Sequence, residues 1–135
     1  MRDINFVLED ALSFDGNTGP YVQYTYARTC SILEKAGDYE DDDNVIATDE
    51  ESALLKVLSL FPEKVLDAIA SYEPSIITRY IFDVATAFNR FYHNCQILSV
   101  EDKAVRATRI RLTKATRIVL GNAFGLICLK KPEKI

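Results

Sequence analysis

Residues 89–94 bring together side-chain types that bind single-stranded nucleic acid. The run Asn-Arg-Phe-Tyr-His-Asn offers amides, a guanidinium and aromatic rings at adjacent positions. RNA loops are held by bases stacking on aromatic rings and by amide and guanidinium contacts to base edges and phosphates. We therefore expect Tyr92 to stack on a base, and Asn89, Arg90 and Asn94 to contact base edges. The alternative for Tyr92 is a half-buried core residue whose hydroxyl reaches water.

The same run ends a long helix that the sequence predicts from Pro74 or Ser75 to about Asn94. Apolar residues recur there at steps of four and three, which is the spacing of a helical bundle seam. Tyr80 and Tyr92 flank this stripe, so Tyr80 is a second candidate for RNA contact, and the choice between the two stays open. The stripe consists of Ile77, Ile81, Val84, Phe88, Phe91 and Cys95.

A last helix, capped by the segment Ser-Val-Glu-Asp at 99–102, has an apolar stripe on one side and basic residues on the other. On its own, such a basic face is most often a solvated surface. Beside the aromatic run it predicts phosphate contacts, which position RNA without reading its sequence. The candidates for these contacts are Arg106, Arg109, Arg111, Lys114 and Arg117.

The charge distribution supports a polyanionic partner for the second half of the chain. The net charge is −4, but residues 1–75 hold five Lys/Arg against sixteen Asp/Glu, whereas residues 76–135 hold eleven against four. Because salt screens charges beyond roughly 8 Å, the local excess of positive charge outweighs the acidic total. The same charge asymmetry is also compatible with the alternative function, a helical protein-interaction module without RNA binding.

Helical periodicity and caps recur along the whole chain, which predicts an all-α bundle of five or six helices. The acidic segment 38–48 has almost no apolar content in its first half and is expected to be a mobile, solvated loop. Its acidic residues lack the spacing and the central glycine of an EF-hand calcium site. The other predicted helices cover residues 3–12, 20–36, 48–61 and 62–73.

The sequence lacks a recognisable catalytic or metal-binding pattern. The three cysteines are far apart and accompanied by a single histidine, which favours reduced thiols over a disulfide framework or a zinc site. No glycine-rich phosphate loop and no nucleophile with a spaced base and acid occur. Uncharged runs are too short to span a bilayer, so we expect a cytoplasmic protein without a membrane partner.

Three blocks of this sequence resemble arginyl-tRNA synthetases. They are Asn-Thr-Gly-Pro-Tyr-x-Gln-Tyr followed by Ala-Arg at residues 17–28, Ala-Thr-Ala-Phe-Asn-Arg-Phe-Tyr-His-Asn-Cys at 85–95, and the helix at 109–122. The resemblance implies that residues 20–135 form the helical anticodon-binding domain of the DALR type. It also implies that residues 1–19 form the junction from a catalytic domain outside this chain.

The resemblance further implies the partners and limits of the chain. The class I ATP-binding signatures do not occur here, so the chain alone is expected to be inactive and to hold no cofactor. ATP with magnesium would belong to the parent enzyme. The implied partners are the anticodon stem and loop of arginine-accepting tRNA and the catalytic domain of the same parent chain. We expect a monomer, which could dimerise artificially through apolar junction residues. A natural stand-alone paralogue remains an open alternative.

Overall fold

A computed structural model describes residues 7–12, 18–39 and 44–134. Within this part of the chain the structure is helical and contains no strand, which confirms the predicted all-α fold. Six helices lie there, the first of only four residues. They are α1 (Leu8–Ala11), α2 (Gly19–Ala36), α3 (Asp49–Ser59), α4 (Phe61–Ser71), α5 (Ser75–Asn94) and α6 (Lys103–Leu126).

Local side-chain chemistry sets several helix ends. The Thr18 hydroxyl accepts a hydrogen bond from the backbone N–H of Tyr21 and so caps α2. Gly37 follows α2 with φ 58°, a left-handed value that glycine adopts without a Cβ clash. A complete capping box joins Thr48 and Glu51 at the start of α3. The helix bounds therefore follow the predicted ones closely.

Helix α5 is the centre of the bundle and packs against α2, α3, α4 and α6. Its predicted seam is confirmed, because every residue of that stripe is buried. Helices α3 and α4 meet at Leu60, and each packs on α5 more extensively than on the other. The fully buried side chains of α5 include Val84, Ala85, Phe88 and Phe91.

Helix α6 is buried over a wider arc than its apolar stripe predicts, because it packs against α2, α3 and α5. Ile110, Leu120 and Phe124 are fully buried but lie outside that stripe. The predicted stripe consists of Val105, Thr108, Leu112, Ala115, Val119, Ala123 and Leu126. The exposed strip left on α6 is correspondingly narrow. The width of this exposed strip determines which basic residues of α6 reach solvent.

Two predictions fall partly outside the described residues. The helix predicted for residues 3–12 is represented by α1, while residues 3–6 lie outside them, as do residues 40–43 of the predicted acidic loop. The junction at 1–19 therefore stays a prediction. Among the described helices, none has the length and apolar character needed to cross a bilayer.

Candidate nucleic-acid interface

A guanidinium group held between two tyrosine rings lies where α2 meets the end of α5. The Arg28 guanidinium carbon is 4.6 Å from the Tyr24 ring centroid and 4.7 Å from the Tyr92 ring centroid. Both distances are within the range of a cation–π contact. Tyr24 and Tyr92 remain 42% and 40% exposed, so part of each ring is accessible from solvent, while the Tyr92 ring also stacks on Phe88. Tyr92, the predicted stacking residue, therefore sits on the surface.

The cluster opens onto a cleft of about 410 Å³ lined by both α2 and the C-terminal segment. The Gln23 side-chain amide donates to the Lys130 carbonyl at 3.0 Å and holds this segment against α2. Lys134 then lies at the cleft, where its Nζ is 3.9 Å from a carboxylate oxygen of Glu34. The cleft is thus both aromatic and positively charged. Its lining residues are Tyr24, Ala27, Arg28, Ser31, Tyr92 and Lys134.

Asn89, a predicted base-edge residue, lies in the contact between α2 and α5. Its Oδ1 accepts from Arg28 Nη1 at 2.9 Å. Its Nδ2 donates to the Tyr21 hydroxyl and to Thr25 Oγ1, both at 3.0 Å. Both amide hydrogens are therefore engaged within the protein.

Arg90 and Asn94, the other predicted base-edge residues, meet the first turn of α3. Asn94 Nδ2 donates to Glu50 Oε1 at 3.1 Å, and Arg90 Nη2 is 3.7 Å from the same oxygen. A hydrogen bond from its own backbone N–H, and then the Asn94 amide, lower the pKa of the Glu50 carboxyl. Arg90 and Asn94 are exposed, so Glu50 orients them at the surface.

Tyr80 lies in the core and not at its edge. It is 2% exposed, its hydroxyl donates to the Val57 carbonyl at 3.0 Å, and its ring stacks on Phe61. Burial raises the pKa of the Tyr80 phenol well above its ordinary value. Its predicted position at the border of the apolar stripe is therefore corrected, because α3 and α4 cover that border. Of the two tyrosines left open by the sequence, the exposed one is Tyr92.

Arg109 also lies in the core, although its sequence position predicts a phosphate contact. It is 7% exposed, and its Nε donates to Glu51 Oε1 at 2.6 Å while Nη1 donates to the Gln96 carbonyl at 2.8 Å. Glu51 is itself fully buried. The position predicted for Arg109, on the flank of the basic face, is therefore corrected: packing of α3 against α6 turns this flank inward.

The other four α6 residues that are predicted to contact phosphate divide into two groups. Towards the N-terminus, Arg106 Nε donates to the Leu98 carbonyl at 3.2 Å, and Arg111 Nη1 donates to Asn44 Oδ1. Both are partly buried. Lys114 and Arg117, further along, are exposed. Of the predicted phosphate contacts on α6, fewer are exposed than the sequence predicts, and the exposed ones lie on the middle of the helix.

Sequence reasoning missed three residues of the cleft, namely Tyr24, Arg28 and Lys134. A usable signal exists for the first two, because Tyr24 and Arg28 are four residues apart and share one face of a helix. Lys134 has no such signal, since it reaches the cleft only through the fold of the C-terminal segment. Elsewhere in the part of the chain described, no cluster of three His, Cys, Asp or Glu residues is placed to bind a metal ion.

A family model described as the DALR anticodon binding domain matches residues 22–135. The chain belongs to this family. The DALR domain is 45% identical over 136 residues to an arginine–tRNA ligase from Clostridium botulinum (strain 657 / Type Ba4), covering 99% of this chain and 24% of that protein. It is 46% identical over 138 residues to the arginine–tRNA ligase of Clostridium perfringens (strain 13 / Type A), with the same coverage.

Solved structures agree with this family. The DALR domain superposes on the arginyl-tRNA synthetase of Thermus thermophilus with a TM-score of 0.90 at 34% identity. For the enzyme from Plasmodium falciparum the TM-score is 0.86 at 27% identity. Each match covers 99% of this chain and 24% of the other. The chain thus spans about a quarter of the length of the curated relatives it matches.

Proposed function

We propose that this DALR domain is the anticodon-binding domain of an arginine–tRNA ligase and binds the anticodon stem and loop of arginine tRNA. Its family and its similarity to arginine–tRNA ligases over 99% of the chain support this proposal. The family match disfavours the alternative of a protein-interaction module without RNA binding. The observation that carries the RNA-binding claim is the stacked Tyr24–Arg28–Tyr92 cluster at the basic cleft.

The cluster has the chemistry needed to hold an unpaired base. Aromatic rings and guanidinium planes are the surfaces on which splayed bases of RNA loops stack. Tyr92 lines the cleft, and the Arg28 guanidinium lies over both the Tyr24 ring and the Tyr92 ring. In this proposal Tyr92 stacks on a base, while Arg90 and Asn94 contact base edges from the neighbouring surface of α5.

Phosphate contacts would come from the exposed residues among those predicted on α6 and from the lysine at the cleft. Lys114 and Arg117 on α6 and Lys134 at the cleft are open to solvent. Arg106 and Arg111 are partly buried and bonded to neighbouring backbone or side-chain oxygens. They would contribute less to RNA binding, because contact with phosphate would compete with those bonds. Such contacts position the loop and leave the reading of sequence to the base-edge residues.

The chemistry of the parent enzyme would lie outside this domain. In that enzyme, ATP with magnesium would activate arginine for attachment to tRNA at the catalytic domain of the same chain. The isolated DALR domain would supply recognition and no aminoacylation activity. We further propose that it is a cytoplasmic monomer, and that any dimer of the isolated domain forms through surfaces that the catalytic domain would cover.

The test measures how tightly two tyrosine variants of the DALR domain bind a labelled arginine-tRNA anticodon stem-loop. Tyr92→Ala should weaken binding by about 1–3 kcal/mol, the usual worth of stacking one base on an aromatic ring. Tyr72→Ala is the matched control, because Tyr72 is 92% exposed and lines a different groove beside Val65 and Leu126. Equal effects of the two substitutions, or no loss for Tyr92→Ala, would contradict the proposed site.

A further inference from the structure

The Asn89 side chain uses most of its hydrogen-bonding capacity inside the protein. A primary amide offers two N–H donors and an oxygen with two lone pairs. Both donors are used, on Tyr21 and Thr25, and one lone pair accepts from Arg28. A base acceptor could therefore bond to Asn89 Nδ2 only if one of these donor bonds broke, and only the second lone pair of Oδ1 is left for a base donor. This arrangement differs from the base-edge contact predicted for Asn89 from the sequence.

The chemistry of its partners fixes which way the amide points. A guanidinium can only donate, so the side of the amide that faces Arg28 must be the oxygen. On the other side, the Thr25 hydroxyl donates its hydrogen to the Tyr21 carbonyl at 3.0 Å, so it must accept from Nδ2. A rotated amide would set two donors against each other at Arg28. The bonds thus form one directed chain from Arg28 through Asn89 to the backbone of α2.

The hydrogen bond to Asn89 fixes the orientation of the Arg28 guanidinium within its own plane, which the two tyrosine rings do not fix. Cation–π contact with the two rings does not by itself stop the guanidinium from rotating within its own plane. The bond from Nη1 to Asn89 Oδ1 removes this rotation, since it fixes one N–H direction. The other N–H groups of Arg28 then have fixed directions as well. A donor held in this way loses less entropy when a ligand binds.

We propose that Asn89 is a positioning residue, which acts on RNA only through Arg28 and does not itself contact the nucleotide. This inference rests on the proposed function, because it assigns a role within the same cleft. It replaces the base-edge role that the sequence predicts for Asn89. It also separates Asn89 from Arg90 and Asn94, whose partner is Glu50 on a different helix.

A double-mutant cycle tests the assignment with the single variants Asn89→Ala and Arg28→Ala and the double variant. Binding of the arginine-tRNA anticodon stem-loop is measured well below the melting temperature of every variant. Asn89→Ala should weaken binding about tenfold, the scale of one hydrogen bond to a charged group. In the Arg28→Ala background, the same substitution should change binding less than about twofold, because residues acting as one unit are not additive. An equal loss in both backgrounds would overturn the proposal, whether Asn89 contacts RNA directly or acts through general destabilisation.

A second variant keeps the test decisive if Asn89→Ala does not fold. Asn89→Asp retains an oxygen acceptor for Arg28 but loses the amide donors. It should therefore weaken binding less than Arg28→Ala does. If Asn89 donated to a base, Asn89→Asp would lose that bond and add repulsion, and the loss would be at least as large as for Arg28→Ala. Failure of the unsubstituted DALR domain to prefer the arginine-tRNA loop would instead contradict the proposed function itself.

Discussion

Replacing Arg109 with leucine tests the structure where it departs most from the sequence prediction. The Glu51 carboxylate is fully buried and receives Arg109 Nε at 2.6 Å, together with the backbone N–H groups of Ala47 and Thr48 at 2.6 and 3.2 Å. Arg109→Leu would leave this buried carboxylate without its counter-charge. Breaking such a pair costs about 3–5 kcal/mol, a large part of the roughly 5–15 kcal/mol that stabilises a typical domain.

Urea unfolding of the DALR domain, followed by the circular dichroism signal of its helices, measures this loss of stability. Arg109→Leu should lower the free energy of unfolding by about 3–5 kcal/mol. Adding Glu51→Gln should recover part of the loss, because the unpaired buried charge is then removed. Arg117→Leu is the control, since Arg117 is exposed on the same helix and should stay within about 0.5 kcal/mol of the unsubstituted protein.

The buried position of Arg109 predicts that its substitution lowers stability without lowering RNA affinity. At a temperature where Arg109→Leu is folded, its RNA affinity should be close to that of the unsubstituted domain. A variant with nearly unchanged stability but much weaker RNA binding would refute the buried position of Arg109 and restore the phosphate contact predicted from the sequence.

Three further predictions concern the basic face, a helix cap and pH. Lys114→Glu should weaken binding to all RNAs and flatten its salt dependence by about one phosphate contact in a salt titration, whereas Arg79→Glu, at an exposed position near the start of α5, should not. Thr48→Ala should lower the free energy of unfolding by about 1 kcal/mol in urea, because it removes the α3 cap. Because the pKa of Tyr80 is raised, the folded state keeps a phenol proton that the unfolded chain releases at lower pH. The contribution of the neutral Tyr80 phenol to the free energy of unfolding is therefore complete below pH 10.0 and is lost as pH rises above it. Tyr80→Phe should therefore make the decline of unfolding free energy between about pH 9 and pH 11 shallower, and an unchanged slope would contradict the burial of this phenol.

The parts of the fold that depend on local chemistry could be predicted from the sequence. Thr48 with Glu51 and Gly37 mark helix ends through contacts within a few residues, and the seam of α5 follows from one repeated spacing. The burial of Arg109 could not be predicted in this way. It depends on Glu51, which lies 58 positions away and is brought close only by the packing of α3 on α6.

In the candidate site, too, features set by the local sequence differ from features set by tertiary packing. The sequence places Tyr80 and Tyr92 alike at the border of the α5 stripe, and in the structure only Tyr92 of the two is exposed. Its contact with Arg28 joins α5 to α2, and Lys134 comes from the end of the chain. Helical periodicity describes one helix at a time, so it gives no information on which helices share a cleft. Tertiary packing therefore determines the composition of the site.

The most direct test of RNA recognition is a titration of the unsubstituted DALR domain with a labelled arginine-tRNA anticodon stem-loop at two salt concentrations. A stem-loop with the same stem and an exchanged loop is the control. The proposed function predicts tighter binding to the arginine-tRNA loop and weaker binding to both RNAs at the higher salt concentration. Equal affinity for the two loops would contradict anticodon recognition by this domain, and insensitivity to salt would contradict the proposed phosphate contacts.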